Sequence, residues 1–75
     1  MSTFDKVAKL ISSQLGIDKE KVKPESLIVA DLGADSIDVF EMVMALEDEL
    51  GIEINEDKVQ ELKTVQDVVN IIENN

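Results

Sequence analysis

Apolar residues at Phe4, Val7, Ala8, Ile11 and Leu15 follow an i, i+3, i+4, i+7, i+11 spacing, which places them on one face of a helix. Ser2 or Thr3 can cap its start, and Gly16 stands where a helix end favours a left-handed residue. The pattern predicts a helix over 3–15. It then breaks down. Val22, Leu27, Ile28 and Leu32 are irregularly spaced across 17–35, and Pro24 and Gly33 interrupt the stretch. That reads as a long loop with room for a helical turn at 18–22, and loops this long in small domains are often functional. Periodicity returns at Val39, Met42, Val43, Leu46 and Leu50, predicting a second helix over 36–50. Asp35 and Asp38 have the spacing of an N-cap and its reciprocal partner. Gly51 closes this helix, and Ile52 and Ile54 follow in a short extended connection. Asn55 can cap a brief helix over 56–61. Thr64 and Asp67 repeat the cap spacing before Val65, Val68, Val69 and Ile72, the stripe of a last helix over 65–73. The expected fold is all-α: a four-helix bundle of three main helices and one short one, with a long loop between helices 1 and 2. The 75 residues read as a single domain, 1–75.

Helix 2 carries more apolar residues than one buried face requires. Ile37, Phe40 and Met44 form a second row, interleaved with Glu41 and Asp48. Phe40 lies between the rows and is expected inside. Ile37 and Met44 read as a patch that faces a partner, since Met suits surfaces that accept several partners.

Charge sharpens this. The chain has 17 Asp+Glu against 7 Lys+Arg, a formal net charge of −10. Eleven of those acids and a single base, Lys58, fall between Asp31 and Glu61, and the remainder is neutral. Concentrating like charge is unfavourable, so the asymmetry suggests a face shown to basic partners rather than a solvated surface alone. It also argues against nucleic acid and anionic membranes. No apolar run approaches a membrane span, and no signal-peptide pattern opens the chain, so a soluble cytoplasmic location is expected.

Composition limits the chemistry. There is no His, Cys, Trp, Tyr or Arg. Without His or Cys there is no Ser-His or Cys-His machinery, no thiolate chemistry and no ordinary zinc site. Ser36 opens helix 2 within Gly33-Ala34-Asp35-Ser36-Ile37-Asp38. It reads either as the helix cap itself or, if Asp35 caps, as a residue with a free hydroxyl. No internal base is available to activate it, so a reactive role means that Ser36 is modified by an outside enzyme. An attached phosphate would meet the helix start, which favours anions, with Asp35 and Asp38 opposing it.

Asp31-Leu32-Gly33-Ala34-Asp35-Ser36-Ile37-Asp38, followed by Met44-Ala45-Leu46-Glu47, closely resembles the acyl carrier proteins of dissociated (type II) fatty acid synthesis. The resemblance runs along the whole chain and includes Gly51-Ile52-Glu53-Ile54 and Thr64-Val65-Gln66-Asp67. It implies a four-helix bundle that is no enzyme itself, with 4′-phosphopantetheine joined to Ser36 through a phosphodiester. Growing fatty acyl chains would ride as thioesters on the arm's terminal thiol. The implied partners are a phosphopantetheinyl transferase and synthesis enzymes with basic docking surfaces. They would meet Asp35, Ile37, Asp38, Glu41, Met44, Glu47 and Asp48 on a monomeric carrier. The cargo would enter a gap between helix 2 and the short helix, lined by Phe40, Leu46, Val59 and Leu62, with Phe40 as a plug. The chain departs from the family pattern at Ile37, where Leu is commoner, and at the bulky Phe40. It departs again at Asn55, where Pro is frequent, and at Ile71, where an aromatic is usual.

Two other readings stay open. One is a specialised carrier serving polyketide, D-alanine or lipid A assembly. The other is a non-carrier acidic module that binds partners or holds divalent ions weakly through Asp31, Asp35, Asp38, Glu41, Glu47 and Asp48. Its spacing fails the EF-hand loop, because Gly33 would occupy the third ligand position.

Overall fold

The computed structural model describes residues 2–74 as a bundle of four α-helices with one turn of 3-10 helix. Helix α1 is Thr3–Leu15, α2 is Ser36–Leu50, α3 is Glu56–Val59 and α4 is Val65–Glu73, with the 3-10 turn at Lys19–Lys21.

Local chemistry sets the boundaries of the main helices. The Ser2 hydroxyl accepts the Asp5 N–H, and Gly16 ends α1 at φ 68°. Asp35 accepts the Asp38 N–H while Asp38 accepts the Asp35 N–H, a closed capping box at the head of α2. Gly51 ends that helix at φ 66°. Thr64 and Asp67 form the same box at α4. Each pair satisfies N–H groups that the helix cannot bond internally.

The core is built by α1, α2 and α4. Val7, Ala8 and Ile11 meet Met42, Val43 and Leu46, together with Val65, Val68 and Val69. The long loop adds Val22, Ile28 and Ala34, and the α2–α3 connection adds Ile54. The loop is pinned rather than free. The Ile28 N–H donates to the Lys63 carbonyl, and the Val65 and Gln66 N–H groups donate to the Ser26 and Pro24 carbonyls. Leu27 and Thr64 thereby form an isolated antiparallel bridge.

Two expectations need correction. The short helix ends at Val59 instead of 61. Beyond it the N–H groups of Glu61 and Leu62 reach back only three residues, to Lys58 and Val59, so the chain tightens into turns. Phe40, expected inside, is 51% exposed. At about 100° per residue it lies some 120° around α2 from the buried Leu46, beyond the edge of the core.

Candidate functional site

The capping box decides the role of Ser36. Asp35 is the N-cap, so Ser36 becomes the first residue of α2, with an exposed side chain. Its hydroxyl makes no hydrogen bond among the described residues, and neither do the Ser36 and Ile37 N–H groups. The other serines differ. Ser2 caps α1, the Ser12 hydroxyl donates to the Lys9 carbonyl, and the buried Ser26 accepts the Lys23 N–H. Ser13 is exposed but lies within α1, where its neighbours' N–H groups are consumed by the helix. Ser36 alone among these combines a free hydroxyl with a helix start that welcomes negative charge. The Asp35 and Asp38 carboxylates, expected to oppose a phosphate there, are both turned to backbone N–H groups. The residues present therefore fit a phosphate-linked group on Ser36.

Downstream, α2 presents a mixed face. Ile37, Phe40 and Met44 are 67%, 51% and 53% exposed. They fall within about 60° of one another on the helix. Val29, also exposed, precedes them on the loop, where its carbonyl accepts the Gly33 N–H. Exposed Glu41 and Asp48 border the row. Glu41 also accepts a 3.4 Å hydrogen bond from the Gln14 side chain, linking the face to α1. Large exposed apolar residues thus stand in one row on a strongly charged helix. From the sequence, Ile37 and Met44 are expected to be exposed on this face; Phe40 is expected inside, and Val29 is not singled out.

Glu47 does not belong with the freely exposed acids. It is half-buried, and its carboxylate accepts the Ile54 N–H at 2.8 Å. Asp31 likewise holds the Leu27 N–H at 2.8 Å within the loop. The contact with Ile54 spans a turn and leaves no periodic trace in the sequence.

Of the four residues expected to line a cargo gap, Leu46 and Leu62 are buried, Val59 packs against the core and Phe40 does not. A cleft of about 560 Å³ opens between α1 and α2, lined in part by Lys6, Leu10, Ala45 and Leu50. A smaller one of about 220 Å³ lies by α3 and α4, at Ile54, Lys58 and Ile71. None of the four expected residues lines either cleft. Among the described residues no three carboxylates converge to hold a metal ion, and no helix is long and apolar enough to cross a membrane.

The family described as "Phosphopantetheine attachment site" matches residues 5–72. An acyl carrier protein of Nitratidesulfovibrio vulgaris (strain DSM 19637 / Miyazaki F) is 50% identical over 74 residues, covering 99% of this chain and 97% of the relative. The acyl carrier protein of strain DP4 is 47% identical over the same shares. A solved structure from Mycobacterium tuberculosis, of a candidate acyl carrier protein, superposes with a TM-score of 0.91 at 30% identity, covering 96% of each chain. This chain belongs to the acyl carrier protein family: it is a carrier rather than an enzyme, and its cofactor is 4′-phosphopantetheine.

Proposed function

We propose that the chain works as a single, monomeric carrier domain, 1–75, in the cytoplasm, serving type II fatty acid synthesis with its arm on Ser36. The observation that carries this reading is the exposed, unbonded Ser36 hydroxyl at a helix start whose cap is already supplied by Asp35. When bound, 4′-phosphopantetheine supplies a terminal thiol that holds acyl groups as thioesters. The chain's own residues do the rest. Ser36 offers Oγ to a phosphopantetheinyl transferase, which must bring the base, because this chain has no His. The Asp35–Asp38 box fixes the start of α2 and keeps Ser36 exposed. Ile37, Phe40 and Met44 give apolar contact to the transferase and to synthesis enzymes. Asp35, Asp38, Glu41 and Asp48 draw their basic surfaces in. Leu46, Val59 and Leu62 part beneath α3 to shelter an acyl chain, while Phe40, outside the core, does not act as a plug.

The test is transfer from coenzyme A with Mg²⁺ and a phosphopantetheinyl transferase. The wild type is expected to gain one phosphopantetheine and Ser36→Ala none, with the variant still folded. Full modification of Ser36→Ala, or mapping of the group to Ser12, Ser13 or Ser26, would refute the assignment.

A further inference from the structure

The Glu47 contact points beyond docking. Glu47 sits about 20° around α2 from Ser36 and three turns further on, about 16 Å along the axis. It holds the chain that leaves the helix at several points. Its carbonyl accepts the Gly51 and Ile52 N–H groups, and its Oε2 accepts the Ile54 N–H. Ile54 is buried, and α3 begins two residues later. α3 itself is only four residues long, none of them fully buried, with Val59 packed against the core. An isolated helix of that length is unstable in water, so its position depends on its ends. The C-terminal end is fixed by the buried Leu62. On the N-terminal side the Glu47 carboxylate holds the Ile54 N–H, just ahead of the Asn55 side chain that caps α3.

We propose that Glu47 is a positioning residue, a clasp that couples occupation of the α2 face to the position of α3. Its carboxylate has one oxygen on the Ile54 N–H, while its backbone lies on the helix that carries Glu41, Met44 and Asp48. A lysine or arginine of a docked basic partner competes for this carboxylate. A charged hydrogen-bonded pair outcompetes a bond to a neutral amide. The Ile54 N–H is then released, and α3 is freed to move away from Leu46 and Leu62. Docking thus loosens the element that shelters the cargo, at the moment the cargo is needed. This rests on the docking and cargo reading given above, but the clasp itself is a property of the free protein.

The experiment is amide hydrogen exchange, read by NMR, on wild type, Glu47→Ala, Glu47→Gln and, as a charge control, Asp48→Asn. In the free proteins Glu47→Ala is expected to speed exchange at Ile54 at least tenfold. Glu47→Gln keeps an acceptor oxygen and should stay within about threefold of wild type, as should Asp48→Asn. Val68 and Ile11 report that the core remains folded. An unchanged Ile54 rate in a folded Glu47→Ala would overturn the clasp. A phosphopantetheinyl transferase without coenzyme A is then added to saturation. Exchange at Ile54 should accelerate in the wild type and not in Glu47→Gln, which offers no charge to compete for. Equal acceleration in both, or none in the wild type while Ile37 and Met44 shift, would overturn the coupling. If Ile37 and Met44 show no shift at all, the docking reading fails and the coupling with it, while the free-protein result still judges the clasp.

Discussion

Carboxylates in this chain act as acceptors for backbone N–H groups as well as surface charge. Asp31, Asp35, Asp38, Glu47 and Asp67 each hold at least one. Asp67 shows the electrostatic consequence. The Thr64 N–H and, next, the Lys63 N–H stabilise its ionised form and lower its pKa from the ordinary 3.8, against a smaller opposing effect of burial. A carboxylate with a lowered folded pKa contributes stability above its unfolded value and loses it as pH falls through the folded value. Asp67→Asn should therefore melt below wild type at pH 6, with the gap narrowing only below pH 3.8. A gap that stays constant from pH 6 to pH 2 would show that the N–H bonds do not favour the charged form. Thr64→Ala removes the other half of the box and should cost about 1 kcal/mol in denaturant unfolding.

At the scale of elements, α3 is the weak member and α2 the central one. An acyl chain lodged under α3 removes CH₂ groups from water, each worth about 0.8 kcal/mol when fully buried. In a domain of this size 1 kcal/mol moves the melting temperature by roughly 4–8 °C. The acylated protein should melt progressively higher from butyryl to octanoyl. Val59→Phe, which crowds the region beneath α3, should flatten that rise. Phe40→Val should leave it intact, because Phe40 stands outside the core. The reverse outcome would place the cargo against Phe40 after all. How legible each element was follows from the range of the interactions that define it. The bounds of α1, α2 and α4 could be read because caps and stripes act over three or four residues: Asp35 with Asp38, Thr64 with Asp67, and Gly16 and Gly51 as terminators. The end of α3 could not, because its C-cap is Gln60 in ordinary right-handed geometry rather than a glycine, and Glu61 sits in a turn with no sequence signature. The second row on α2 was visible, but spacing alone left Phe40 between two faces. Burial depends on where α1 and α4 pack, which only tertiary structure decides. Ser36 was identifiable as a site only through its extended motif, since a serine beside a helix start is by spacing a good cap.

Over the whole molecule, a net charge of −10 is confined within a radius of gyration of 10.8 Å. Most of it lies on α2, α3 and their flanks, so self-repulsion is greatest on the face that partners would approach. Added salt should raise the melting temperature at neutral pH, and Glu41→Lys should reduce the size of that effect. A melting temperature indifferent to salt would mean that the carboxylates are neutralised locally. The same field should accelerate encounter with basic enzymes at low salt, whereas Met44→Ala should weaken binding without altering the salt dependence. All of this serves a carrier only if the arm stands where α2 begins. The most direct measurement is an intact mass of the native protein, followed by fragmentation of the peptide from Val22 to Lys58, which contains both Ser26 and Ser36. A single phosphopantetheine on Ser36, with or without an acyl group, is the predicted result. An unmodified chain after incubation with coenzyme A and a transferase, or the group on Ser26, would contradict it.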